Sequence, residues 1–117
     1  MGLQDLLVWQ KAIDLSVNIY DLTKSFPDNE KYGLSAQLRR SGVSIPSNIA
    51  EGEGRLTRGE RRQALSQARG SLYEVGTQLM IASRLGYVPQ TILAEDVAEV
   101  HRMLDAYIAY VRSTSGR

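Results

Sequence analysis

Hydrophobic residues recur along the chain at steps of three and four, which is the spacing of one face of an α-helix. Four such stripes follow one another, and no segment alternates in the manner of a β-strand. The stripes are Val8, Ala12, Leu15, Ile19, Leu22 and Phe26; Leu34, Leu38, Ser41, Ile45 and Asn48; Leu65, Ala68, Leu72, Val75, Leu79 and Ala82; and Leu93, Val97, Val100, Leu104, Tyr107 or Ile108, and Val111. The pattern predicts an all-α single domain over residues 1–117. Short connections make it an antiparallel, up-down-up-down four-helix bundle.

Helix-breaking and polar residues predict where these helices begin and end. Pro27 ends the first helix, and Asp28 or Asn29 is placed to cap the second. Thr57 and Glu60 have the spacing of a capping box, so the third helix runs from about residue 57 to residue 85. The other predicted boundary residues are Gly86, a C-terminal cap, and Pro89, the first residue of the fourth helix.

Three of the predicted helices carry a second apolar stripe. The added residues are Leu6, Ile13, Val17 and Tyr20; Ala36, Val43 and Ala50; and Ile81 and Leu85. Scattered surface hydrophobes are normal, but these recur regularly, and exposed apolar patches mark interfaces. The pattern favours self-association into a cyclic oligomer, whose head-to-tail contacts need two different apolar faces. The predicted interface residues are Ile13, Tyr20, Ala36, Val43 and Ala50.

A proline interrupts the second helical pattern within SGVSIPSNIAEGEGR, residues 41–55. Pro46 lacks an N–H group, and its ring presses on the carbonyl of Gly42, the least bulky residue. The segment therefore predicts a kinked helix that continues through the proline. Ser44, Asn48 and Glu51 share a face beside the kink, where they can bond to the backbone. A structural polar patch is favoured over a ligand site.

Motifs for catalysis or cofactor binding are missing from the sequence. Gly52 and Gly54 lack the third glycine and the preceding strand of a dinucleotide loop, and no Gly-Lys-Ser/Thr is present. The single histidine, His101, has no carboxylate three residues before it and no partners for a catalytic triad. The sequence predicts no catalytic residue, no metal ligand and no cofactor.

Composition indicates an ordinary globular protein, with 43% hydrophobic and 23% charged residues. No stretch reaches the roughly 18 apolar residues of a membrane span, and the N-terminus does not resemble a secretory signal. The chain has no cysteine, which fits a cytoplasmic location.

Positive charge is concentrated in the middle of the chain. Between Arg39 and Arg69, seven arginines stand against three glutamates, a net charge of +4 within a chain of +1. Arginine suits phosphate pairing, and helix N-termini favour anions. The sequence predicts a nucleic-acid surface formed by Arg39, Arg40, Arg55, Arg58, Arg61 and Arg62. In an up-down-up-down bundle, Arg112 and Arg117 lie near the turn that carries four of them.

Contact with nucleic acid is expected to be directed at the backbone and weakly sequence-specific. No aromatic residues are interleaved with these arginines, which argues against readout of single-stranded bases. A solvated turn that keeps the protein soluble is the alternative interpretation of the same charges.

Two stretches carry a family resemblance, LLVWQKAIDLSVNIYDLTKSFPDNEKYGLSAQLRRSGVSIPSNIAEGEGR and ARGSLYEVGTQLMIASRLGY. They closely resemble the bacterial 23S ribosomal RNA intervening-sequence proteins, to which accessory proteins of diversity-generating retroelements are related. The most specific part is QLRRSGVSIPSNIAEG. The resemblance implies a four-helix bundle that forms a homopentamer without known catalysis. Carried over by position, its motif residues are Gln37, Arg39, Arg40, Ser44, Pro46, Asn48, Glu51, Gly52, Ser71 and Glu74.

Two functions therefore compete. The first is a non-enzymatic, homo-oligomeric protein that binds nucleic acid, RNA before DNA, through its arginine-rich end. The alternative is a protein-interaction scaffold, such as an accessory subunit of a reverse transcriptase in a diversity-generating retroelement. An enzyme is disfavoured because each catalytic motif fails.

Overall fold

The computed structural model describes residues 2–114, which form an elongated four-helix bundle of 49 × 24 × 21 Å. The helices are α1 (Leu7–Thr23), α2 (Leu34–Gly54), α3 (Arg58–Arg84) and α4 (Ala94–Ser113). Short 3₁₀ turns at Leu3–Asp5 and Asp28–Glu30 precede α1 and α2. None of the helices in this part of the chain is long and apolar enough to cross a membrane. The predicted all-α, four-helix class is confirmed.

Each helix packs against two neighbours, in the order α1, α2, α3, α4 and back to α1. The stripes predicted from the sequence face inward and form one core along the bundle, except that Ile49 and not the predicted Asn48 belongs to the core in α2. Its largest fully buried side chains are Leu15 and Ile19 of α1, Leu38, Ile45 and Ile49 of α2, Leu65, Leu72 and Val75 of α3, and Val100 and Leu104 of α4. Phe26 and Val88, from the two loops at one end, also belong to this core.

Both ends of α3 follow the predicted chemistry. The Thr57 hydroxyl accepts the N–H of Glu60 at 3.2 Å, which is the N-cap half of the predicted capping box, and the same hydroxyl donates to the Glu60 carboxylate at 3.1 Å. At the other end Gly86 has φ +83°, and the N–H of Tyr87 donates to the carbonyl of Ala82. This left-handed glycine closes the helix in a Schellman motif. The prediction for Pro89 is wrong, because α4 begins only at Ala94, after a turn.

The start of α2 differs from the predicted cap. Asp28 and Asn29 lie in the 3₁₀ turn, and the Glu30 carboxylate instead accepts the N–H of Leu34 at 3.0 Å. The hydroxyl of Tyr87 donates to the same carboxylate at 2.8 Å. These hydrogen bonds lower the pKa of Glu30 and raise the pKa of Tyr87. Glu30 therefore begins a helix and also joins the two loops at this end.

Helix α2 continues through Pro46, as the sequence predicts. Gly42 has a second role besides its place four residues before Pro46. A Cβ atom at Gly42 would lie 3.0 Å from Cδ1 of Ile19 and 3.7 Å from Cα of Ser16. A larger residue would require the Ile19 side chain to shift, so Gly42 favours the close approach of α1 and α2.

Candidate nucleic-acid interface

The turn between α2 and α3 lies at the same end of the bundle as the start of α1 and the end of α4. We call this the arginine end, and it carries Arg55, Arg58, Arg61, Arg62 and Arg112. As predicted, Arg112 lies close to this turn, because it lines one groove together with Arg62. Arg117, the other arginine predicted here, lies outside the described residues.

Carboxylates divide the predicted arginine cluster into paired and unpaired members. Arg55 pairs with Glu51 at 3.1 Å, and Arg61 pairs with Glu53 at 3.4 Å. Within residues 2–114, Arg58, Arg62 and Arg112 form no ion pair. The charge available to an external anion therefore comes mainly from these three side chains, because an anion at Arg55 or Arg61 has to compete with a glutamate.

Two of the three unpaired arginines, Arg62 and Arg112, line a groove between α3 and α4. This basic groove has a volume of about 610 Å³ and is lined by Arg62, Ser66, Arg69, Asp105, Ile108 and Arg112. Nε of Arg69 donates to Asp105 at 3.0 Å, a hydrogen bond that raises the pKa of Arg69. Three guanidinium groups and one carboxylate leave the groove a positive excess, which suits a phosphodiester.

Arg39 and Arg40 do not join this end. Arg39 precedes Arg55 by sixteen residues of α2, which corresponds to about 24 Å along the helix. Its guanidinium donates to the Thr23 hydroxyl at 2.7 Å and lies over the Tyr20 ring, 4.7 Å from the centroid. Arg39 therefore contributes to the contact between α2 and α1. The six predicted arginines do not form one surface.

Two tyrosines of α4 do lie at the arginine end, contrary to the expectation from the sequence. The hydroxyl of Tyr107 contacts the carboxylate of Glu53, which also holds Arg61. The rings of Tyr107 and Tyr110 stack with centroids 6.3 Å apart and planes inclined by 22°. No local pattern predicts this proximity, because Tyr107 and Glu53 are 54 residues apart.

The polar residues around Pro46 form a small cluster between α2 and α3. The amide of Asn48 donates to the carbonyl and to the hydroxyl of Ser44, each at 2.9 Å. The Ser44 hydroxyl lies 2.8 Å from that of Ser71. Asn48 is half-buried rather than fully buried, and Glu51 turns away to pair with Arg55. The cluster therefore meets its own hydrogen-bonding needs, which favours the structural interpretation.

Replacing Asn48 with alanine is expected to lower the free energy of unfolding by about 1–3 kcal/mol, because Ser44 loses two hydrogen bonds in a partly buried place. Thermal unfolding followed by circular dichroism measures this as a lower melting temperature. Gln37→Ala is the matched control, since Gln37 is exposed on the same helix and lines neither apolar surface. An unchanged melting curve for Asn48→Ala would instead assign Asn48 to a binding role at the surface.

The predicted second stripes of α1 and α2 meet in an apolar groove of about 330 Å³. This apolar groove is lined by Trp9, Ile13, Ser16, Val17, Val43, Pro46, Ser47 and Ala50. Val17 is 55% exposed and Val43 is 42% exposed. Of the predicted interface residues, Ile13, Val43 and Ala50 line the groove, while Ala36 and Tyr20 are not among its lining residues.

A second apolar surface lies on α3, beside His101 of α4. This α3 face is formed by Tyr73, Gly76, Thr77, Met80, Ile81, Arg84 and His101, with exposed Leu85 beyond them. His101 packs edge-on against Tyr73 with ring centroids 4.8 Å apart. Burial lowers the pKa of His101, against the opposing effect of Asp105. The sequence pattern identified only Ile81 and Leu85 here.

Histidine and carboxylate side chains within residues 2–114 include no group of three or more that could hold a metal ion. Acidic side chains do gather between α1 and α4, at Asp14, Asp96 and Glu99, but Lys11 pairs with Glu99 at 3.7 Å and Asn18 donates to Asp96 at 3.1 Å.

Comparison with known proteins agrees with the sequence resemblance. The model of the family described as 23S rRNA-intervening sequence protein matches residues 4–106. A crystal structure of a protein of unknown function, from the S23 ribosomal protein family of Bacteroides thetaiotaomicron, superposes with a TM-score of 0.81. It is 27% identical, and the alignment covers 88% of this chain and 96% of that one. No curated protein matches the chain. The extent of the family match shows that this chain belongs to the 23S rRNA-intervening sequence protein family.

Proposed function

We propose that the chain is a non-enzymatic, self-assembling helical bundle that binds nucleic acid, RNA before DNA, through its arginine end. The observation that carries this proposal is the set of arginines at this end that form no ion pair within residues 2–114, namely Arg58, Arg62 and Arg112. Two of them line the basic groove. Guanidinium groups placed in this way favour the phosphate backbone over any particular base, because every nucleotide offers the same phosphate.

Self-assembly supports the same function by repeating the arginine end. The apolar groove on α1 and α2 and the α3 face lie on different helices, so a head-to-tail contact between copies would bury both. The resemblance to the family sets the expected number of copies at five. A ring presents one arginine end per subunit, and a strand that contacts several of them binds more tightly without any new kind of contact.

The proposed role needs no catalytic group, cofactor or metal ion. Phosphate binding by arginine is an equilibrium interaction that depends on charge and geometry. We place this activity in the cytoplasm, because RNA is found there. The absence of cysteine fits this location, since the chain forms no disulfide that would need an oxidising compartment.

A protein-binding scaffold is the second candidate, for instance an accessory subunit of a reverse transcriptase. The apolar groove favours the scaffold, because a groove of about 330 Å³ between two helices can accept the apolar side of a partner helix. Under this proposal the groove contacts a different protein instead of a second copy, and the arginine end meets an acidic surface.

A direct binding titration separates the two candidates. Fluorescence anisotropy of a labelled structured RNA, measured at low salt against the purified protein, is expected to show saturable binding that weakens as salt is added. Absence of binding to RNA and to DNA, together with stoichiometric co-purification of a host protein, would favour the scaffold. Saturable RNA binding without any protein partner would favour the nucleic-acid role.

A further inference from the structure

Tyr110 presents an exposed aromatic ring at the arginine end, and its neighbours hold that ring in place. The side chain of Tyr110 is 60% exposed and stacks on the half-buried Tyr107. The hydroxyl of Tyr107 contacts Glu53, whose carboxylate pairs with Arg61 at 3.4 Å. A continuous chain of contacts thus connects an exposed ring on α4 with the end of α2 and the first turn of α3.

The last turns of α4 also carry unpaired positive charge, on a side of the helix different from that of the ring. Arg112 follows Tyr110 by two residues and lines the basic groove with Arg62. A guanidinium that binds phosphate and an aromatic face that stacks on a base are the two components of surfaces that bind single-stranded nucleic acid. Bases within a continuous duplex are stacked on one another, so their faces cannot reach such a ring.

We propose that Tyr110 is a stacking platform for an unpaired base, with Tyr107 as the ring that supports it from behind. The ligand at the arginine end is accordingly a single strand, or a loop or bulge of a folded RNA, in preference to continuous duplex. This inference rests on the proposed nucleic-acid function and assigns its ligand class. The stacked base needs no particular identity, because every base offers an aromatic face.

The test compares tyrosine variants on matched ligands. Anisotropy titrations use a labelled single-stranded oligonucleotide and a duplex of the same length, with wild type, Tyr110→Ala and Tyr110→Phe. Loss of one stacking contact is expected to weaken single-strand binding by Tyr110→Ala about 5- to 150-fold. Duplex binding is expected to stay within about twofold, and Tyr110→Phe keeps wild-type affinity because it keeps the ring. Tyr32→Ala is the control, since Tyr32 is 88% exposed at the opposite end.

Sedimentation of each variant accompanies the titrations, so that a change in assembly is not mistaken for a change in stacking. Unchanged single-strand affinity in Tyr110→Ala would overturn the stacking platform, and it would leave the arginine-based function standing if loss of Arg62 and Arg112 still weakens binding. Equal losses on the single strand and the duplex would also overturn it, since a base platform acts on unpaired bases. Wild-type protein that binds no nucleic acid would remove both proposals.

Discussion

Changing Arg58, Arg62 and Arg112 together to glutamate is expected to weaken RNA binding at least about a hundredfold while the protein stays folded. Each hydrogen bond from a charged group contributes about 1.5–3 kcal/mol, which is about a tenfold change in affinity or more. These arginines form no ion pair within residues 2–114, so their replacement breaks no such internal contact. Anisotropy of a labelled structured RNA at low salt measures the loss, and circular dichroism checks the fold.

A second triple variant tests whether RNA affinity depends on where the charges are changed or only on the total change in net charge. Lys24→Glu, Lys31→Glu and Arg40→Glu make the same change in net charge, and all three side chains are exposed in the half of the bundle away from the arginine end. Its RNA affinity is expected to fall far less than that of the first variant. If the two variants lose affinity equally, overall charge governs binding, and the arginine end has no special part in it.

Val43→Asp is expected to convert the assembled protein into a monomer of 13.0 kDa. Val43 lines the apolar groove and is 42% exposed in one chain, so a contact with a second copy would bury the new carboxylate. Burying an unpaired charge is strongly unfavourable, whereas the same charge is harmless in a monomer. Sedimentation at micromolar concentration measures the mass. Tyr32→Asp is the matched control, because Tyr32 is exposed but belongs to neither apolar surface.

Mixing two monomeric variants tests whether the two apolar surfaces pair with each other. Met80→Asp damages the α3 face and leaves the groove intact, while Val43→Asp does the opposite. Head-to-tail pairing then allows one intact contact between unlike variants, so the mixture is expected to form a dimer of about twice 13.0 kDa. A mixture that stays monomeric, or a Val43→Asp protein that assembles normally, would show that these surfaces are not the two sides of one interface.

The architecture follows from the sequence because helical periodicity and burial act over a few turns. Apart from Asn48, the stripes predicted on the four helices are the ones that meet in the core, and the Thr57 cap and the Gly86 terminator depend only on local geometry. Prediction fails where a long-range contact decides the local structure. Glu30 begins α2 and also accepts a hydrogen bond from the Tyr87 hydroxyl, 57 residues away, whereas the earlier residues Asp28 and Asn29 do not act as the cap.

The candidate site is only partly predictable, because charge along a chain does not report which charges are already paired. The Arg55–Glu51 pair has the i, i+4 spacing of a helix, and the sequence indicates it. The pairing of Arg61 with Glu53 crosses the turn between α2 and α3. The meeting of Arg62 with Arg112 depends on how α3 and α4 lie alongside each other, which no local pattern specifies. No local pattern specifies the contact of Tyr107, on α4, with Glu53 at the end of α2 either.

The salt dependence of RNA binding tests the central claim most directly, because it measures how many phosphates the protein engages. The logarithm of the association constant is expected to fall linearly with the logarithm of salt concentration. Wild type should show a slope steeper than that of the Arg58, Arg62 and Arg112 triple variant by about 2–3, since each lost phosphate contact removes about 0.7–0.9. Equal slopes for the two proteins would contradict phosphate binding at the arginine end.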